Sequence, residues 1–536
     1  MKKVNNYLWD SHNRSKEMLT MKRLRMLFTG GINNETGLRP EIRKTYSLTQ
    51  FLGLILGPLL FVLIYWVFPL EGLSEAGRGV LATITWVATW WILEVLPLGI
   101  TSLLPIILLP IFTNVTGKEA ATSYADPLNF LFLGGFAIAL ALERWRLHER
   151  IAITVISLVG TSLSGLIIGF MLATGFLSMW VSNTATALLM IPIGTAIAGK
   201  VIELMREEAG HSELEEIKVQ KSIIFAIGFG ATIGGSATLI GTPTNLILAG
   251  LSKELLGIDI SFARWMLFAV PLITLLMICA SFYLIRIAYP LKVKRLSGSA
   301  AFIEQTRKDL GPMSYEEKMV SLIFILTAFF WISRSFLWVG VIPGISDTMI
   351  AIAGAILLYL VPTKRGDNGR LLDGSSLKKM PWDVLLLVGG GMAIAVGFAK
   401  TDLSSWAGDQ LLALRGTSYF LVLCSMTIIS ILMTQVTPNT ATGTILLPIA
   451  ITLAVATDAH PLPLMAASAL GAGFAYMMPI STPSNAIIFA TGKITFRDML
   501  SKGTFLTIVT LFLIILFIYL LFPLIFEADL AAEMLQ

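Results

Sequence analysis

From about residue 51 onward the chain is a succession of apolar runs, most about twenty residues long, with short polar connections between them. Wound as a helix, a run of that length crosses a bilayer core of roughly 30 Å. The pattern predicts full spans near 51–69, 78–98, 100–114, 129–144, 222–250, 263–289, 317–337, 341–362, 382–400, 463–491 and 503–526. Two further runs, 165–198 and 418–457, carry a polar motif at their middle and read as re-entrant hairpins that return to the side they left. Almost no segment has the one-sided polarity of a helix facing water, which argues against a large soluble protein. The expected fold class is an all-α polytopic membrane protein with about 11 transmembrane helices plus two re-entrant hairpins.

The polar interruptions are duplicated. Ser182-Asn183-Thr184-Ala185-Thr186 precedes Gly241-Thr242-Pro243-Thr244-Asn245, and Pro438-Asn439-Thr440-Ala441-Thr442 precedes Ser481-Thr482-Pro483-Ser484-Asn485. Gly134-Gly135-Phe136-Ala137-Ile138-Ala139 recurs as Gly390-Gly391-Met392-Ala393-Ile394-Ala395, 256 positions on, the same offset as Asn183 to Asn439 and Pro192 to Pro448. Two inverted repeats are therefore expected. Residues 1–50 form a basic cytoplasmic arm, 51–289 the first span and first repeat, 290–316 a cytoplasmic linker, 317–526 the second repeat and 527–536 a short external C-terminus. Within the arm, Met18, Leu19, Met21, Leu24, Met26 and Leu27 suggest a helix lying on the membrane surface.

Charge fixes the orientation. With the N-terminus inside, the outer segments hold only Arg78, Lys118, Lys253, Arg264, Arg334, Lys400 and Arg415, seven of the 39 Lys and Arg residues. That asymmetry is the cytoplasmic excess of membrane proteins, so the pI near 9.0 does not call for nucleic acid. No cleaved signal peptide is read at the start, and the chain is expected in the cell (inner) membrane. Only 14% of residues are charged, and mean hydropathy is +0.78. Cys279 and Cys424 sit in apolar runs and exclude a disulfide framework, while His12, His148, His211 and His460 show no ligand spacing.

Amides, hydroxyls, Gly and Pro at membrane depth are costly unless they line a cavity or bind something, and paired interrupted segments point to a secondary transporter's binding site. A hairpin tip at Ser182, Asn183 and Thr184, or at Asn439 and Thr440, presents the free N–H groups of a helix N-terminus, which suit a carboxylate or another oxyanion. The breaks at Thr242-Pro243 and Thr482-Pro483 expose carbonyls able to coordinate Na⁺. Neither motif pair contains Arg or Lys, so a divalent anion there needs co-bound cations or exchange for another anion. Glu94 is read as a structural interfacial residue, and Arg334 and Lys400 as outer-edge residues that snorkel.

At these motifs the sequence resembles the divalent anion:sodium symporter (DASS) family of INDY-type di- and tricarboxylate transporters, from about residue 50 to 526. The Ser-Asn-Thr tip, the Gly-Thr-Pro break, the span Trp90-Trp91-Ile92-Leu93-Glu94-Val95-Leu96-Pro97 and Ser481-Thr482-Pro483-Ser484-Asn485 carry the resemblance. It implies scaffold and transport domains, a homodimer and elevator motion. It also implies a first Na⁺ site of Ser178, Ser182, Asn183 and Gly241, and a second of Thr434, Thr437, Asn439 and Ser481. Substrate carboxylates would meet Ser182, Asn183, Thr184, Asn439 and Thr440, with Thr242, Pro243, Thr482 and Pro483 nearby. Two departures weaken the second cation site: Pro438 replaces the family's usual Ser, and Gln435 stands where an acid is common.

The expected function is Na⁺-coupled transport of C4–C5 dicarboxylates such as succinate, malate, fumarate or 2-oxoglutarate, with no cofactor beyond the coupling ion. Na⁺-independent dicarboxylate exchange and sulfate transport stay open. A membrane enzyme would need a His, Cys or acid constellation that the motifs lack.

Overall fold

The computed structural model describes residues 47–207, 212–290, 299–364, 369–410 and 416–527. The surface helix expected in the basic arm, His12, His211, the heart of the linker and nearly all of the external C-terminus lie outside the described residues. Nine described helices are long and apolar enough to cross a membrane, and five shorter apolar helices of 10–17 residues accompany them. The protein is all-helical and multi-pass.

Apart from 222–250 and 463–491, each predicted span has its helix or, near 100–114, a closely spaced pair. Leu48–Val62 opens with a capping box on Ser47 and runs on as a π-turn to Val67. Glu75–Ile92, the pair Leu98–Thr101 and Leu104–Phe112, and Pro127–Arg144 follow. Phe262–Tyr283, Tyr315–Ser333, Asp347–Leu360, Trp382–Ala399 and Phe496–Leu520 match later expectations. The two hairpins are Leu163–Ser178 with Asn183–Glu207, and Tyr419–Met433 with Asn439–Ala456. Their first arms have 16 and 15 residues, about 22–24 Å long, too short to cross the hydrocarbon core. Ser162 and Ser418 cap these arms at equivalent positions, accepting from Gly165 N and Leu421 N.

The structure departs from the apolar pattern in three places. The expected spans 222–250 and 463–491 are each two helices, Glu213–Gly235 with Pro243–Leu256 and Pro461–Gly473 with Pro483–Ala490. Pro243 and Pro483 sit in the first turn of the second half, where the missing N–H costs nothing and no preceding turn is required. The stretch 474–482 is largely apolar and 236–242 mixes Ala237, Leu239 and Ile240 with Ser236, Thr238 and Thr242, so the apolar pattern reads each pair as one span although the Thr-Pro motifs mark the break. Next, two short helices, Leu147–Val159 and Leu403–Gln410, follow the equivalent spans Pro127–Arg144 and Trp382–Ala399. Finally, the linker contains a helix, Ser299–Asp309. Nearby, Arg150 pairs with Glu317 at 3.0 Å and donates to the carbonyls of Leu310 and Gly311.

Arg334 is not snorkelling. Arg334 is 12% exposed, lies 2.6 Å from Asp347 and donates to Ile345 O, because the start of Asp347–Leu360 brings a carboxylate beside it. Lys400 pairs with Glu119. Glu94 sits exposed just past its helix at φ 47°, where its carbonyl accepts from Gln50 Nε2, a structural role.

Small residues let the helices around the hairpins close up, which supplies packing where the hydrophobic effect cannot. A Cβ on Gly234 would lie 2.1 Å from Gly175 O, so the first broken helix and the first hairpin touch backbone to backbone. The second arm of each hairpin also contacts the half-helix beyond the break of the opposite repeat, Asn183–Glu207 against Pro483–Ala490 and Asn439–Ala456 against Pro243–Leu256. The repeats are thus interlocked around the four polar motifs.

Candidate functional site

Between the arms of the first hairpin, the backbone leaves the helix at Met179 and re-enters it at Asn183. Ser178 Oγ lies 2.8 Å from Asn183 Oδ1 and 2.7 Å from Ala231 O of the first broken helix. The second hairpin repeats this knot, with Thr434 Oγ1 2.8 Å from Asn439 Oδ1 and 2.7 Å from Ala472 O of the second broken helix. Asn439 Nδ2 also donates to Gly473 O at 3.0 Å. One hydroxyl carries one proton, so it serves only one of its two acceptors at a time. With the amide oxygen facing the hydroxyl, each knot holds more acceptor oxygen than protons.

In the first knot, turning the Asn183 amide relieves the surplus. Its nitrogen would then donate to Ser178 Oγ, Ala231 O and Gly241 O at 2.8, 3.1 and 3.3 Å. In the other orientation the oxygens of Ser178, Asn183, Ala231 and Gly241 converge with one hydroxyl proton among them, an arrangement that suits a hard monovalent cation. Gly235 is what lets the amide in, since a Cβ there would lie 2.0 Å from Asn183 Oδ1. Among the described residues no group of three or more His, Cys, Asp or Glu could hold a metal ion.

The breaks are matched as closely. Thr242 and Thr482 both have φ −140°, with ψ 139° and 150°. Asn245 Nδ2 donates to Ser236 O (3.1 Å) and Thr238 O (2.8 Å), and Asn485 Nδ2 to Ala475 O (3.0 Å) and Met478 O (3.1 Å). The Asn of each motif thus ties down the carbonyls that the break frees. The hydroxyls of Thr242 and Thr244 lie 3.2 Å apart, those of Thr482 and Ser484 3.1 Å. Gly473 brings the two breaks together: a Cβ there would lie 3.3 Å from Ser236 Oγ and 3.5 Å from Thr244 Oγ1.

Of the expected first cation set, Ser178, Asn183 and Gly241 come together, while Ser182 Oγ accepts from Ala185 N at 3.3 Å as a cap. Of the second set, Thr434 and Asn439 come together. Thr437 Oγ1 instead donates to Met433 O (2.8 Å) and lies 2.6 Å from Thr442 Oγ1. Ser481 Oγ donates to Met478 O and accepts from Asn485 Nδ2. Pro438 gives the second hairpin no side-chain cap, so Ser182 has no counterpart there. Thr184, Asn439 and Thr440 are half-buried at the tips, Thr242 and Thr482 are buried, and Pro483 is exposed.

Three features were not foreseen. The carbonyls of Ala231 and Ala472 belong to knots that residue types do not advertise; the only hint is the small-residue run around each. Gln435 uses all its hydrogen-bonding capacity: Nε2 donates to Ile431 O (2.8 Å) and Phe474 O (3.1 Å), and Oε1 accepts from Tyr476 N (3.1 Å) and Met477 N (3.0 Å). It braces the second break to its hairpin. In the first repeat the bridge runs the other way, from Thr238 Oγ1 to Met179 O. Trp180, two residues before Ser182, stacks on Phe262 and Trp331 with centroids at 6.1 and 6.4 Å and meets Phe324 edge-on at 5.0 Å. Trp331 Nε1 donates to Asp347 O (2.8 Å), and Asp347 Oδ2 accepts from Phe262 N (3.0 Å). The first tip is thereby seated on the Tyr315–Ser333 helix.

Comparison with known proteins gives the chain a family. A family model described as the sodium:sulfate symporter transmembrane region matches residues 48–527. The sodium-dependent dicarboxylate transporter SdcS of Staphylococcus aureus (strain USA300) is 44% identical over 491 residues, covering 91% of this chain and 94% of that protein. The protein of the same name from Staphylococcus saprophyticus is 44% identical over 485 residues, covering 90% and 93%. In fold, the chain is similar to the crystal structure of the YdaH transporter of Alcanivorax borkumensis, with a TM-score of 0.52 at 14% identity over 77% of this chain and 89% of that one. The chain belongs to the sodium:sulfate symporter family, the divalent anion:sodium symporter group that its duplicated tips and breaks resemble.

Proposed function

We propose that this protein is a secondary active transporter that carries C4–C5 dicarboxylates such as succinate, malate, fumarate or 2-oxoglutarate together with Na⁺. The observation that carries the reading is the duplicated knot, Ser178–Asn183–Ala231 and Thr434–Asn439–Ala472. Each gathers hydroxyl, amide and carbonyl groups beside the N-terminus of a hairpin's second arm, and with the amide oxygen turned inward a cation and a carboxylate can share one tip. Two tips suit the two carboxylates of one substrate better than a single compact oxyanion such as sulfate. The relatives named as sodium-dependent dicarboxylate transporters support the same choice.

In this reading Ser178, Asn183, Gly241 and the Ala231 carbonyl hold the first Na⁺, with Ser182 as the cap of the tip. Thr434, Asn439 and the Ala472 carbonyl hold the second, with Thr437 and Ser481 as supports rather than ligands. Ser182, Asn183, Thr184, Asn439 and Thr440 receive the carboxylates, with Thr242-Pro243 and Thr482-Pro483 alongside. The repeats are inverted, the site stays fixed within a transport domain of hairpins and broken helices, and that domain moves against a scaffold in an elevator-type alternation. The protein sits as a homodimer in the cell membrane, N-terminus inside.

Purified protein in liposomes tests the coupling. Labelled succinate is expected to enter empty vesicles only when Na⁺ is present outside. Entry confined to succinate-loaded vesicles, indifferent to Na⁺, would make the protein an exchanger, the second reading that the uncapped Pro438 tip favours. A further expectation concerns the aromatic seat. Aromatic pairs contribute about 0.5–1.5 kcal/mol each beyond burial, so Trp180→Ala should lower uptake by roughly tenfold and Trp180→Phe by much less. Wild-type uptake by Trp180→Ala would separate the stack from the tip.

A further inference from the structure

A cavity of about 340 Å³ lies between the second hairpin's second arm, Asn439–Ala456, and the helices Glu75–Ile92, Trp382–Ala399 and Leu403–Gln410. Trp91, Phe398, Trp406, Ala407, Thr444 and Ile449 are among its lining residues. The polar groups on these residues are committed elsewhere. Thr444 Oγ1 donates to Thr440 O (2.9 Å), Trp91 Nε1 to Ser102 Oγ (3.1 Å) and Trp406 Nε1 to Glu71 O (2.9 Å). Thr452, also on the wall, donates to Pro448 O at 3.2 Å. A water molecule needs two to four polar partners, and a dicarboxylate needs more. Gln410 also lines the cavity, and its single amide is too few partners for either.

The cavity wall includes a residue of the apolar outer surface of the spans. Ile449, on its wall, is 43% exposed, and Val455 further along the same arm is 54% exposed. In a multi-pass protein the substance that meets such a surface is lipid hydrocarbon. We propose that this cavity is a lipid site that takes one acyl chain of a membrane phospholipid, wedged between the second hairpin and the helices it leans on. The volume falls in the roughly 300–1,000 Å³ range of small-ligand pockets, and aromatic and aliphatic walls match a methylene chain. The site is separate from the polar tips, although its helix begins at Asn439.

Trp91 makes occupancy measurable. It is 1% exposed, so a bilayer chain reaches it only by entering the cavity. Protein is reconstituted in vesicles of phosphatidylcholine carrying either brominated or plain acyl chains, and tryptophan emission is compared for the wild type and Trp91→Phe. The Trp91 contribution, taken as the difference between them, should be quenched at least about twofold by brominated chains. Ala407→Phe, which fills the cavity, should remove that quenching while other tryptophans stay quenched. Unquenched Trp91 emission in the wild-type background would overturn the proposal. Should Trp91→Phe fold poorly, native mass spectrometry of the purified wild type decides. One retained phospholipid per chain, lost in Ala407→Phe, is expected, and no retained lipid or equal retention in both sinks the idea. Occupancy is read here without transport, so these outcomes do not depend on the proposed substrate or coupling.

Discussion

Asn183→Ala should cut dicarboxylate uptake at least about 100-fold, and Asn439→Ala should do the same, while the purified proteins keep their thermal midpoint within a few degrees. Each Asn sits at the first turn of a hairpin's second arm, with its side chain in a knot of hydroxyl and carbonyl oxygen. Removing it deletes an oxygen from the proposed cation site and an amide donor beside the anion. Hydrogen bonds to charged groups contribute about 1.5–3 kcal/mol each, so losing two amounts to roughly 3–6 kcal/mol, or two to four powers of ten in affinity. The fold has less at stake, because both positions are only half-buried and Ser178 and Thr434 keep their bonds to Ala231 O and Ala472 O. The check is succinate uptake in proteoliposomes alongside thermal unfolding of the same preparations. Normal uptake by either variant would remove that tip from the site. Loss of uptake together with a collapsed midpoint would reassign the Asn to holding the hairpin together.

The positions of both asparagines were legible in the sequence, for a physical reason. An amide in the middle of a long apolar run stands out, and its repetition 256 residues later turns an oddity into a pattern. The second hairpin's boundaries followed from the same contrast, while the first hairpin's second arm runs to Glu207, past the expected end at 198, because its last turns from Lys200 are charged. The oxygens opposite those amides were not legible, since Ala231 and Ala472 act through backbone that any residue type carries. The breaks were legible at Thr242-Pro243 and Thr482-Pro483, but how far each unwinds, over 236–242 and 474–482, was not, because Leu239 and Ile240 in the first and Phe474 to Met478 in the second read as a continued span. Arg334 was misread for a related reason: charge near a span end suggests a lipid–water boundary, while its partner Asp347 is distant enough in the chain that only the fold reveals the pair. The helix Leu147–Val159 escaped because charged residues in its first turn, Glu149 and Arg150, break the apolar run.

Gln435 carries the second large effect, and it separates two accounts of the same position. One takes the residue as a missing charge: an acid there would strengthen a neighbouring cation site. The other follows from its four hydrogen bonds, two given to the carbonyls of Ile431 and Phe474 and two received from the N–H groups of Tyr476 and Met477. Those N–H groups belong to a stretch with no helical partner for them, and Gln435 is 3% exposed, so no solvent substitutes. Gln435→Leu leaves both N–H groups orphaned at about 1–3 kcal/mol each, a large part of the 5–15 kcal/mol that typically holds a domain. Gln435→Glu keeps the two received bonds but turns an oxygen toward Ile431 O and Phe474 O, acceptor against acceptor, and buries a charge besides. Both variants are therefore expected to unfold several degrees earlier and to lose at least about tenfold in uptake, because the break that they loosen supplies Ala472 and Gly473 to the second knot. The charge account predicts the opposite for Gln435→Glu, a stable protein that needs less Na⁺ for half-maximal uptake. Thermal midpoints and Na⁺ titrations on the two variants decide between them: tighter Na⁺ dependence at an unchanged midpoint would make Gln435 an electrostatic substitution, and a shared loss of stability and uptake would make it the strut of the second tip.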